Sequence, residues 1–193
     1  MTGDRRPGRP RSEQVRTAIL TATIDELTDR GYAALTIEGI AARAGAGKQT
    51  IYRWWPSKAD VVLDALLEMA AELVAVPDTG SLRGDLMAFL ASTFRQRGQR
   101  PVLVGLMAQA VFDPVFGREF RDRFLFSRRD VLREILRRGV ARGEISADED
   151  LELVLDIVFG VLWYRLLLDH VPVTDAEGEQ LASFLLRAIH AES

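Results

Sequence analysis

Apolar residues recur at helical spacing along this chain and predict an all-α protein of about nine helices. Ser12 is placed to cap a first helix over about Glu13–Arg30, with Val15, Ala18, Ile19, Ala22 and Leu27 as its stripe and Gly31 as its stop. Tyr32 and Leu35 read as core. Thr36 precedes a short helix whose apolar positions are Ile37, Ile40, Ala41 and Ala44. Gly45-Ala46-Gly47 interrupts the pattern, and a second short helix runs from Lys48 to Trp55. Ser57-Lys58-Ala59-Asp60 has the form of a capping box and opens a helix to about Val76, lined by Val62, Ala65, Leu66, Met69, Ala70 and Leu73. Pro77-Asp78-Thr79-Gly80 ends it.

Beyond that break the pattern stays helical. Leu82–Arg97 carries Leu86, Phe89, Leu90 and Phe94 on one face, and Gly98 to Pro101 breaks it. Val102–Phe112 is apolar and therefore expected to be central. Asp113-Pro114 opens a long helix, about Val115–Arg142, that Gly143 closes. Ser146-Ala147-Asp148-Glu149 reads as a further capping box before Leu151–His170, a helix apolar on nearly all sides. Val171-Pro172 ends it, and Thr174-Asp175-Ala176-Glu177 caps a last helix with Leu181, Phe184, Leu185, Ala188 and Ile189.

The two short helices carry the chemistry. Helices joined by a Gly-containing turn of three or four residues form a helix-turn-helix, whose second helix enters the DNA major groove. Here Ile51 and Trp55 share one face of that second helix, while Lys48, Gln49, Thr50, Tyr52 and Arg53 occupy the other. Lys and Arg neutralise phosphates, Thr and Tyr hydroxyls bond phosphate oxygens, and Gln reads a base edge. Trp55 reads as a core plug, and Trp54 as either backbone packing on DNA or structure. Lys58 sits at the positive end of the next helix, where a phosphate is favoured. Residues 1–11 form a polar arm with Arg5, Arg6, Arg9 and Arg11, in which Pro7, Gly8 and Pro10 oppose a helix. Its readings are a minor-groove or phosphate contact, or a solvated tail.

The stretch from Val15 to Leu67 resembles the TetR family of bacterial transcriptional regulators. The matching residues are Thr36-Ile37, Ile40-Ala41, Ala44-Gly45, Thr50-Ile51-Tyr52 and Pro56-Ser57-Lys58. Three positions depart from the family pattern. Gly47 stands where Ser or Thr usually caps the recognition helix, Trp54 where His or a smaller polar residue is common, and Gly39 where a helix former is usual. The resemblance implies a ligand-responsive repressor that binds a near-palindromic operator as a dimer. The expected DNA-contacting set is Arg5, Arg6, Arg9, Arg11, Thr36, Lys48, Gln49, Thr50, Tyr52, Arg53, Trp54 and Lys58. The expected domains are the arm, a DNA-binding domain 12–58 with its motif at 36–55, a connecting helix 59–76, and an effector-binding and dimerisation domain 81–193.

The last two long helices, 151–170 and 175–190, hold more apolar surface than one small bundle can bury, so a self-complementary dimer seam is expected there. By resemblance the same domain holds a pocket for a small-molecule effector. Phe89, Phe94, Met107, Phe112, Trp163 and Tyr164 are candidates to line it, or simply core. Arg165 and Asp156, charged within an apolar helix, either pair or meet a ligand's polar group.

Composition narrows the alternatives. Net charge is −3, which taken alone looks wrong for a DNA binder. Residues 1–60, however, hold ten Lys and Arg against seven Asp and Glu, and the only two lysines, Lys48 and Lys58, flank the recognition helix. There are no cysteines and only two histidines, His170 and His190, so no metal site and no cofactor is expected. The chain opens without a secretory h-region and its longest apolar run is short for a span, so a cytoplasmic protein is expected. The acids are spread over helix faces and give no catalytic constellation. The Arg-rich helix 115–142 reads as a solvated face with intrahelical ion pairs or, alternatively, as a second nucleic-acid site. The other function readings are an activator or ligand-independent regulator of the same fold, or a helical partner-binding protein with a vestigial motif.

Overall fold

The computed structural model describes residues 9–71, 76–95 and 100–190, without the side chains of 9–12, 70, 71 and 190. The helices are α1 (Arg9–Ala34), α2 (Ile37–Ala44), α3 (Lys48–Trp54), α4 (Lys58–Ala71), α5 (Leu82–Phe94), α6 (Arg100–Phe112), α7 (Pro114–Phe120), α8 (Phe126–Ala141), α9 (Leu151–Leu168) and α10 (Asp175–His190). A π-helical turn, Arg121–Leu125, joins α7 to α8, so Pro114–Ala141 is one continuous but re-registered run. Counted so, the described residues form nine helices and no strand.

The chain divides into two compact units. One draws on Met1–Leu73 and Gly105–Phe120, the other on Val74–Val104 and Arg121–Ser193. In the first, α1 packs on α2 and α4, and α4 meets α7. Ile19, Leu20, Leu27, Ile37, Ile40, Ile51, Trp55, Val62 and Leu63 form its buried centre. The α1 backbone turns at Gly31 (φ 73°, ψ 168°), a left-handed φ that a side chain would strain, and one further turn follows to Ala34. Leu35 is buried as expected. In the second unit, α5 packs chiefly on α10 and also on α8, and α8 packs on α9. Leu86, Phe89, Leu90, Phe94, Leu132, Leu136, Leu155, Val158 and Leu185 form that core.

Several boundaries differ from the sequence expectation. The first helix reaches back to Arg9, through Pro10, so Ser12 lies inside it and is not its cap. A proline in the first turn forfeits only an N–H that has no acceptor there. Asp150, not Ser146, caps α9: its carboxylate accepts the amides of Glu152 and Leu153 at 3.1 Å each. Ser146 instead accepts the Asp148 amide in the preceding turn. The expected box at the start of α4 forms, with Ser57 N–H and Oγ donating to Asp60 Oδ2 at 2.8 and 2.7 Å. Thr174 bonds Glu177 at the start of α10. α6 is buried at Val102, Leu103 and Leu106 but ends exposed, with Phe112 at 85% exposure. Leu73 and Gly98 lie outside the described residues.

The expected intrahelical pairing of the arginine-rich helix is present between Arg133 and Asp130, and pairing between helices is added to it. Arg129 reaches Asp156 at 2.6 Å and Glu152 at 3.1 Å, and Arg133 reaches Glu152 at 2.7 Å, tying α8 to α9. Asp156 therefore pairs with Arg129, a neighbour, and not with Arg165. The double clasp of Arg133 and Arg129 lowers the Glu152 pKa to about 2.

Candidate nucleic-acid interface

The α2–α3 unit is built from its caps outward. Thr36 is extended (φ −132°, ψ 153°), and its Oγ1 accepts the Gly39 amide at 3.0 Å. α2 closes at Gly45, left-handed at φ 62°, with Ala46 N–H returning to Ala41 O at 3.0 Å. Gly39 gives up helix propensity for room: a Cβ there would stand 2.8 Å from Glu26 Oε2. The buried Glu26 carboxylate takes Arg43 Nε at 2.9 Å, and Arg43 also reaches Asp29 at 2.6 Å, so these pairs hold α2 against α1. Gly47 caps α3 through its backbone alone.

α3 is anchored through one face. Ile51 is fully buried, and Trp55, the C-cap residue, is 3% exposed with Nε1 donating to Asp64 Oδ2 at 2.8 Å. With that face fixed, Lys48, Gln49, Tyr52 and Arg53 are exposed and Thr50 is half-buried. Trp54 stands half-buried, edge-on to Trp55 at 5.4 Å, and the Arg53 guanidinium lies 5.5 Å from its ring centre. Thr36 is exposed at the start of α2.

The two lysines differ. The Lys48 ammonium projects from the first turn of α3 and donates to Glu38 Oε1 of α2 at 2.9 Å. That bond raises the Lys48 pKa and lowers that of Glu38. Lys58 is half-buried; it donates to Tyr32 O at 3.0 Å and lies 4.5 Å from the Tyr32 ring centre. Burial lowers its pKa. That ring also lies against Gly105, where an added Cβ would stand 2.3 Å from it. Lys58 thus clamps the end of α1 to the start of α4, a task the sequence reading did not foresee. Arg5 and Arg6 of the arm, and the side chains of Arg9 and Arg11, lie outside the described residues.

The effector candidates fall in both units. Phe89 and Phe94 are buried in the core of the second unit, and Trp163 lines a small cavity there. Met107 and Phe112 belong to the first unit, and Phe112 is exposed. Tyr164 is exposed and packs edge-on against His170 at 4.9 Å. Arg165 is half-buried with Nη1 unbonded, and its charge helps lower the Glu177 pKa, after the bond from Thr174. The cavity beside Trp163 is also lined by Thr93 and Arg128, which the sequence reading passed over. The signal was present: Phe124, Arg128 and Leu132 are four apart, which places Arg128 on an apolar stripe.

Comparison with known proteins matches both parts of the chain. Residues 19–65 match the description "Bacterial regulatory proteins, tetR family", and residues 76–185 match "Tetracyclin repressor-like, C-terminal domain". The uncharacterized HTH-type transcriptional regulator YdeS of Bacillus subtilis is 35% identical over 188 residues, covering 96% of this chain and 95% of that protein. The DNA-binding transcriptional repressor TetR of Mycobacteroides abscessus is 31% identical over 169 residues, covering 86% and 88%. Among solved structures, the TetR family transcription regulator SCO0332 superposes with a TM-score of 0.77 at 33% identity, covering 91% of this chain and 98% of that one.

Proposed function

The chain belongs to the tetR family of bacterial regulatory proteins, helix-turn-helix transcriptional regulators, and on that premise we propose how it reads DNA. The carrying observation is the division of α3: Ile51 and Trp55 bury one face, which leaves Lys48, Gln49, Tyr52 and Arg53 in solvent. That row enters the major groove. Gln49 meets a base edge; Thr50 and Tyr52 meet base edges or flanking phosphates; Lys48 and Arg53 meet phosphates. Thr36 and Trp54 flank the row. Lys58 adds its charge near the backbone while staying tied to Tyr32.

The active form we propose is a homodimer through α9 and α10. Leu153, Ile157, Tyr164, Leu167 and Leu168 of α9, and Phe184 of α10, are exposed apolar side chains in the second unit. On α9 they follow one stripe with Gly160, beside which a Cβ would meet nothing within 4 Å. A second copy of the same stripe covers it. Two α3 helices then address successive major grooves ~34–36 Å apart, so the operator is a near-palindrome. Repression follows from occupying a promoter in the cytoplasm. A small-molecule effector releases the DNA only if it binds the non-DNA-binding arrangement more tightly. No helix of the described residues is long and apolar enough to cross a membrane.

The test is a salt titration of DNA binding. Lys48→Ala lowers the slope of log K against log salt by about one per protomer and weakens all sequences alike, whereas Gln49→Ala changes base preference. An unchanged slope for Lys48→Ala removes that assignment.

A further inference from the structure

The cavity between α5, α8 and α9 is apolar except for two groups. Phe124, Phe159, Leu162 and Trp163 line it together with Thr93 and Arg128. The Arg128 guanidinium donates to the Thr93 hydroxyl at 3.2 Å and lies 5.7 Å from the Phe89 ring centre. It has no carboxylate within ion-pair reach among the described residues, although six other arginines of the second unit, at 95, 100, 129, 133, 138 and 142, do. Burial lowers its pKa, with no acid opposing the shift. A guanidinium withdrawn from water without an anion destabilises a fold and needs another reason to be there.

From this geometry we infer that the cavity binds a small apolar carboxylate, its head held by Arg128 and Thr93 and its body among Phe124, Phe159, Leu162 and Trp163. The inference rests on the ligand-responsive reading above and names the chemistry of the ligand. A planar guanidinium presents paired N–H donors to a carboxylate. The Thr93 hydroxyl accepts from Arg128 and keeps its proton for a carboxylate oxygen. One cation matches one negative charge; a phosphate dianion would call for more. Free space in the cavity is about 30 Å³, room for a water-sized guest, so the ligand's body has to displace wall side chains. Phe124 and Leu125, both half-buried, sit on the π-helical turn between α7 and α8, the segment whose register departs from the surrounding helix. A ligand that needs the wall moved binds one arrangement of this unit better than the other, as an effector must.

The experiment is calorimetric titration of the full chain with sodium octanoate and with octanamide, its uncharged counterpart. The expected result is octanoate bound once per chain and octanamide at least about tenfold weaker. Arg128→Met abolishes the preference without lowering the melting temperature, a result that a merely structural arginine would not give, and Arg128→Lys restores part of it. Failure of octanoate to bind, equal binding of the two probes, or undiminished octanoate binding in Arg128→Met overturns the proposal. If Arg128→Met does not fold, the contrast between the two probes on the unaltered chain decides. DNA binding is measured in parallel. A chain that holds DNA but ignores octanoate refutes the cavity alone, and one that binds octanoate but not DNA refutes the DNA reading alone.

Discussion

Lys48, at the start of α3, has a side chain 53% exposed and an ammonium 2.9 Å from Glu38, whereas Arg128, on an apolar stripe of α8, is half-buried with no carboxylate in ion-pair reach among the described residues. Both are single positive charges on helices, and the difference lies in what water and neighbours do for them. Lys48 is solvated and already has a partner, so a phosphate has only to take Glu38's place. That exchange costs little, is screened by salt, and suits a surface that must bind and release DNA. Arg128 has given up most of its water for one hydroxyl and one aromatic ring. An anion arriving there gains more per contact, because little solvent competes. Exposed cations suit steering and grip, and a half-buried one with no carboxylate partner among the described residues suits selective recognition of a small anion.

The largest effect on this comparison comes from removing the support beneath the exposed row. Ile51 is fully buried, and Ile51→Ala leaves a cavity under α3. Denaturant unfolding should register a loss of about 2–5 kcal/mol, and DNA affinity should fall although no contacting residue has changed. A smaller effect sharpens the account of Lys48. Glu38→Gln removes the acid that pairs it and repels phosphates, so DNA affinity should rise about twofold to tenfold at low salt. The gain should shrink as salt increases; equal affinities at every salt concentration would show that Glu38 stays clear of the DNA.

How much of this was legible in the sequence depends on whether local rules decided the outcome. Ile37, Ile40, Ala41, Ile51 and Trp55 carry their burial in their spacing, and the caps at Thr36 and Ser57 follow from side chains within three residues. Pro10 misled because the same residue that breaks a helix interior is tolerated in a first turn. Ser146 and Asp150 both offer an oxygen near the start of α9, and the chain pattern alone does not rank them. Arg128 was hidden by Arg129 beside it: a basic doublet reads as surface, but one helical step of about 100° sends the two side chains to different places. The bond from Lys58 to the Tyr32 carbonyl was not legible because that carbonyl is 26 residues away.

The smallest predicted effect concerns charges that serve the fold alone. Glu152, clasped by Arg133 and Arg129, has its pKa depressed to about 2, so its pairing stabilises the protein fully above the ordinary glutamate range. The contribution fades as pH falls through that range and is gone below about 2. Thermal melts of Glu152→Gln should therefore sit below those of the unaltered chain near neutrality and converge with them near pH 2. A constant gap across that window would contradict the assignment.

Because Lys48 and Lys58 are the only lysines, acetylation of the full chain read by mass spectrometry tests the central claim directly. In the free protein Lys48 is bonded to Glu38 and Lys58 to the Tyr32 carbonyl, so the rate at each lysine without DNA is its own reference. Adding duplex DNA at low salt should protect Lys48 strongly, with the smaller change at Lys58. Acetylation of Lys48 at the same rate with and without bound DNA would contradict the account, because the outward face of α3 would then not be the surface that meets the groove.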